Sequence, residues 1–263
     1  MIFSALSYLA IVLYLLASIF QMRNFSAERE TNSSVKFLAS AAILCHFLIV
    51  FQTIFDGSAY NFGLYSMLSL MALTIGVLVL LGSFRRPISN LFLLIFPIGA
   101  VAVLLNTIFK NHSELKNEID GGMAVHIAMS VIAYSILTIA AVQAAMLSFG
   151  DRMLRNRQLS LIKSLPALET MEQMMFELLW IGLLFLTLSI ASGFLFVEDF
   201  SGPGVIHHTV LAIAAWLVFA LLALGRKYLG WRGLIASRWT VVGFVLLALG
   251  YFGSKFVMEL LLN

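Results

Sequence analysis

The chain has 263 residues, 61% of them hydrophobic and 11% charged, with a formal net charge of +3. A water-soluble domain carries roughly 25% charged residues, so this composition excludes that class and indicates an integral membrane protein. The basic balance is no nucleic-acid signal, because the lysines and arginines sit in short segments between apolar runs, and the one cysteine, Cys45, excludes an intrachain disulfide and a cysteine-based zinc site.

Crossing a bilayer core takes about 20 apolar residues. Eight runs reach that length, at roughly 2–21, 36–55, 63–82, 90–109, 123–148, 174–197, 205–225 and 239–260. They are too long, and too lacking in apolar/polar alternation, to be the strands of a membrane barrel. The expectation is an all-α polytopic membrane helix bundle, with residues 1–263 forming a single integral membrane domain. The first run is too long for a signal peptide and lacks a basic leader and a small-residue cleavage site, so it reads as a retained span.

Basic residues orient the spans. Arg23, Arg29 and Lys36 lie between the first two runs, and Arg85 and Arg86 between the third and fourth. Arg152, Arg155, Arg157 and Lys163 follow the fifth run, and Arg226, Lys227, Arg232 and Arg238 the seventh. The opposite side holds only Lys110, Lys116 and Lys255. The positive-inside rule then predicts a bacterial inner (plasma) membrane protein with both termini outside. The outer loops are short and mildly acidic, with Asp56, Glu114, Glu118, Asp120, Glu198 and Asp199. The long inner segment 149–173 reads as a partly amphipathic helix on the membrane surface, with Met171, Met174 and Met175 toward lipid and Glu169, Glu172 and Gln173 toward water.

Missing motifs narrow the function. No Gly-rich phosphate loop ending in Lys-Ser/Thr and no His-Glu-x-x-His occurs, which argues against ATP hydrolysis and zinc proteolysis. Matched pairs of broken helices and acidic residues at helix centres, the marks of transporters and proton-coupled pumps, are also missing.

Histidine remains. His46 lies mid-run in AILCHFLIVF, His126 at the outer end of the fifth run, and His207 and His208 at the outer end of the seventh; His112 is in an outer loop. Imidazole in hydrocarbon needs a partner, so each invites either a structural reading, a helix–helix hydrogen bond or interfacial cap, or a functional one. In DGGMAVHIAMSVIAY, residues 120–134, Ser130 and Tyr134 follow His126 at i+4 and i+8 on one helix face. His126 and one of His207 or His208 share a depth, and adjacent helical residues diverge by about 100°, so only one of the pair faces the same partner. Two neutral imidazoles across an apolar cleft suit haem iron, with His126 and His208 as the leading metal-ligand pair, and His207 and His46 as further cofactor-binding candidates. Tyr134, Phe194, Phe196, Phe200 and Trp216 are near enough in the chain to line such a site.

The stretches HIAMSVIAYSILTIAAVQAAM, TVLAIAAWLVFALLAL, GWRGLIASRWTVVGFVLLALGYFGSKF and LCHFLIVF resemble helices of the cytochrome c assembly membrane family, the Ccs/Ccm-type haem-handling proteins, and in particular the YpjD/HemX-like branch. The resemblance runs over most of the chain. It implies that His126 matches the histidine that faces haem at the outer membrane surface. Two departures stand against it. Haem-exporting members carry a Trp-rich loop where this chain has FVEDFSGPGVIHHT, and their second external histidine after the last helix has no counterpart in 239–263. The expected function is binding or handling of haem without catalysis, in contact with lipid and other membrane proteins and with no nucleic acid. The rivals are a haem-free membrane scaffold or regulator, for example of tetrapyrrole synthesis, and a small-molecule transporter using His46, Thr187, Ser189 and Ser192.

Elsewhere, Trp231, Arg232, Arg238 and Trp239 read as an interfacial anchor, and Gly243, Gly250 and Gly253 as a close-packing face. Asn106 reads as a helix–helix hydrogen-bonding residue, and Cys45 as a small apolar filler.

Overall fold

The computed structural model describes residues 2–27, 31–56, 59–109, 115–116, 119–157, 165–196 and 205–257. The eight expected spans are eight helices: α1 Ile2–Ser26, α2 Ser33–Ile54, α3 Leu64–Gly82, α4 Phe92–Ile108, α5 Gly121–Arg155, α6 Leu168–Phe196, α7 Val205–Leu229 and α8 Gly233–Ala248. Each is long and apolar enough to cross a membrane. A π turn, Leu249–Gly253, and one further helical turn, Ser254–Phe256, prolong α8. A 3-10 turn, Ser89–Leu91, leads into α4, and three strands of two or three residues complete the described structure: β1 Phe55–Asp56, β2 Ala59–Asn61 and β3 Leu115–Lys116, antiparallel in the order β1-β2-β3.

The helices divide between two compact units. Unit 1 is Met1–Glu118 with Gln158–Pro166, and unit 2 is Ile119–Arg157 with Ala167–Asn263. In unit 1, α1 packs on α2 and α4, and α3 packs on α2 and α4. Tyr14 of α1 is the keystone. Its ring lies where a Cβ on Gly99 of α4 would meet it at 3.4 Å, and its hydroxyl where one on Gly76 of α3 would meet it at 3.6 Å. Without side chains at those glycines, α3 and α4 close around one buried aromatic ring. Phe96 and Phe92 continue the aromatic packing, with centroids 5.8 Å from Tyr14 to Phe96 and 4.5 Å from Phe96 to Phe92. Asn106 of α4 donates to the Thr53 hydroxyl of α2 at 3.3 Å, the interhelical bond expected of it.

In unit 2, α5 runs against α6 along its length and also against α8, while α7 packs on α6 and α8. Gly182 of α6 receives Leu137 of α5, which a Cβ would meet at 2.6 Å. Gly243 of α8 receives the ring of Phe219 of α7 at 2.7 Å, and Gly250 admits the α7 backbone at His208. Gly253 meets only its own helix, so the small-residue face of α8 is two glycines long.

The expectation for 149–173 is corrected. α5 continues to Arg155 and α6 begins at Leu168, so Met171, Met174 and Met175 belong to a span and are buried inside the protein, not turned toward lipid. Hydropathy ends a span at its first charges, but a helix whose apolar face still has a neighbour continues past them. Residues 158–164 lie outside the described set. Glu172, expected to face water, is the hub of an ion-pair cluster. Arg226 donates to its Oε1 at 2.7 Å, the Gly233 backbone N–H donates to its Oε2 at 2.8 Å, and Arg232 Nε lies 3.4 Å away. Trp231 stacks on Trp239 at 5.7 Å beside it. One carboxylate thereby ties α6, the end of α7 and the start of α8 together at the basic end of unit 2.

Candidate functional site

The other end of unit 2 gathers the histidines. Asp120 caps α5, its carboxylate accepting from the Gly122 N–H at 2.9 Å. His126 stands six residues further on, between one and two turns into the helix, and is half-buried. Its Nδ1 lies 2.9 Å from the Ser189 carbonyl oxygen and 3.2 Å from Ser192 Oγ, both on α6. A carbonyl only accepts, so Nδ1 carries the proton. The neutral ring therefore keeps its lone pair on Nε2, which makes no hydrogen bond among the described residues. Ser192 Oγ donates to the same carbonyl at 2.9 Å, which leaves its oxygen to accept from Nδ1. Ser130 Oγ donates to the His126 carbonyl at 2.7 Å and pairs with Ser189 Oγ at 2.7 Å. Gly193 completes the cradle: a Cβ there would lie 3.1 Å from His126 Cε1. An imidazole with Nδ1–H fixed by a backbone carbonyl and Nε2 bare is the usual state of a metal-binding histidine.

Tyr134 begins on the same stripe but its hydroxyl does not turn to α6. Residue i+8 is rotated by about 80° from residue i on a helix, and this carries Tyr134 toward α7 and α8. Its hydroxyl donates to the Leu247 carbonyl at 3.1 Å and lies 3.4 Å from His208 Nε2. Tyr251, in the π turn, packs edge-on against Tyr134 at 5.7 Å and against His208 at 5.8 Å. His207, the adjacent residue, is exposed.

The remaining expected wall is placed differently. Phe194 and Phe196 are largely exposed, with the Phe196 ring over Gly122. Trp216 donates its indole N–H to Thr187 at 2.8 Å on an exposed face. Phe200, His112 and the whole loop 197–204 between α6 and α7 lie outside the described residues. Sequence reasoning missed Gly193 and Tyr251, and took Ser189 and Ser192 only for a transport path. The signal for the serines was available: two small polar residues at i and i+3 on α6, at the depth of His126.

His46 belongs to unit 1, fully buried in α2. Its Nδ1 meets the Tyr14 hydroxyl at 3.1 Å and its Nε2 meets Ser69 Oγ at 2.9 Å. A neutral imidazole has one donor and one acceptor, and here both have partners.

Among the described residues, no group of three or more His, Cys, Asp or Glu side chains is arranged to hold a metal ion alone.

The cytochrome c assembly protein family model matches residues 34–262. The chain belongs to that family. It is 32% identical over 225 residues to the inner membrane protein YpjD of Escherichia coli K12, covering 85% of this chain and 86% of that protein. It is also 35% identical over 142 residues to an "Uncharacterized 28.8 kDa protein in nifR3-like 5'region" of Azospirillum brasilense, covering 53% of this chain and 52% of that one. No solved structure matches the chain. Family membership and eight apolar helices make this a membrane protein of the cytochrome c assembly type.

Proposed function

We propose that the chain binds haem at the histidine end of unit 2 and holds it for another protein. His126, through Nε2, and His208, through Nδ1, would hold the haem iron. The observation that carries this reading is the Nδ1–H of His126 on the Ser189 carbonyl, which leaves Nε2 without a hydrogen bond among the described residues, while Gly193 lies against the Cε1 edge of the ring. Haem supplies the iron and a flat apolar macrocycle. The chain supplies two neutral ligands, serines and tyrosines that orient them, and low-dielectric surroundings. Positive-inside bias argues that this end faces outward, and the relative's printed name argues for the bacterial inner membrane. The reading asks no covalent chemistry of the chain. His46 is on this reading a structural hydrogen-bonding group, because neither of its nitrogens is spare.

The test is the absorption spectrum of detergent-purified protein expressed with ample haem. A Soret band with low-spin features in the native chain, lost in His126→Ala, weakened in His208→Ala and intact in His207→Ala and His46→Ala, supports the reading. A featureless spectrum that haem addition does not change overturns it. The rival is then a haem-free membrane scaffold, which the absence of tryptophan from FVEDFSGPGVIHHT favours.

A further inference from the structure

His208 is held differently from His126, and the difference assigns a role to Tyr134. The tyrosine is 3% exposed and has one hydroxyl for two neighbours. The Leu247 carbonyl, 3.1 Å away, only accepts, so the hydroxyl proton points there. Toward His208, 3.4 Å away, the hydroxyl then offers only its lone pairs. Nε2 of His208 is therefore the protonated nitrogen, and Nδ1 keeps the lone pair. Nδ1 makes no hydrogen bond among the described residues.

The local backbone is built around this pair. Leu247 is the second-last residue of α8, just before the π turn Leu249–Gly253. Such turns widen a helix by one residue and are frequent at functional sites. Here the turn brings Tyr251 edge-on to both Tyr134 and His208, and it places Gly250 where a Cβ would stand 3.5 Å from the His208 carbonyl oxygen. α7 thus approaches α8 closely at the histidine itself.

We propose that Tyr134 is a positioning residue that fixes the tautomer of His208, so that His208 presents Nδ1 to the ligand while His126 presents Nε2. The consequence for ligand binding rests on the haem reading; the tautomer lock itself does not. The two imidazoles then bind through different nitrogens, each set by a hydrogen bond on the other.

The experiment is nitrogen NMR of the full chain in detergent, with 15N-labelled histidine and no haem added, the His208 signals being assigned by their loss in His208→Ala. The expected result is a single neutral Nε2-protonated form in the native chain and a mixture of tautomers in Tyr134→Phe. An Nδ1-protonated form in the native chain, or an unchanged signal in Tyr134→Phe, overturns the proposal. Haem titration adds a second arm. Tyr134→Phe should lower affinity roughly tenfold in the native background and leave it unchanged in a His208→Ala background. An equal loss in both backgrounds would mark Tyr134 as merely structural and overturn its positioning role. If the native chain takes up no haem, the functional reading fails while the NMR arm still decides what Tyr134 does.

Discussion

Unit 1 buries a histidine between a tyrosine and a serine, unit 2 sets a half-buried one against two serines, and the two are used in opposite ways. Around His46, Tyr14 and Ser69 come from two other helices and take both ring nitrogens, so the imidazole joins three helices and has nothing left to give. Around His126, Ser189 and Ser192 come from one helix and converge on a single nitrogen. The residue types are nearly the same. What separates a structural histidine from a ligand is how many of its two nitrogens the fold consumes. Depth in the membrane does not separate them, since an imidazole in hydrocarbon needs partners in either role.

The largest expected effect tests this directly. His126→Ala should abolish the haem spectrum, whereas His46→Ala should leave it in place; absorption spectroscopy of both variants decides, and the reverse pattern breaks the contrast. His46→Ala should instead destabilise. It strands the buried hydroxyls of Tyr14 and Ser69, at a cost of about 2 kcal/mol, since membrane hydrogen bonds are worth less than the full penalty for an unsatisfied buried group. Thermal unfolding in detergent measures this, and an unchanged midpoint would deny His46 its structural role. Glu172→Gln controls for damage within unit 2. It weakens the hold on Arg226 and Arg232 at the end remote from His126. Screening of the partly exposed guanidinium groups limits the loss to about 1 kcal/mol. The midpoint should fall while the spectrum stays. The smallest effect is expected from Gly193→Ala, whose methyl would crowd His126 Cε1 at 3.1 Å and tilt the ring by a few tenths of an ångström. Haem affinity should then drop by less than the roughly tenfold loss typical of removing an outer hydrogen-bond partner. No change in a haem titration would show that the cradle tolerates a larger residue.

The candidate site was partly legible in the sequence. His126, Ser130 and Tyr134 stand on one stripe by spacing alone, and depth points to His207 or His208 without choosing between them, because helix order puts the starts of α5 and α7 at one end. The stripe did not reveal that its members have different partners. The slow rotation of an i, i+4, i+8 series turns Tyr134 from α6 toward α7 and α8, and only packing shows where that rotation ends. Glu172 was misjudged for a related reason. A carboxylate among methionines at the end of a span looks like a surface residue until Arg226, Arg232 and the Gly233 N–H are brought to it from distant positions in the chain.

Length and hydropathy by themselves determined the eight helices, because no other regular structure satisfies its backbone within one apolar segment in lipid. Composition likewise determined that the protein is of membrane type, and the spacing of His126, Ser130 and Tyr134 determined that they share one side of α5. Tertiary structure alone decided which histidine nitrogens are free. That depends on single hydrogen bonds between helices tens of residues apart, and such bonds leave no periodic trace in the order of the amino acids.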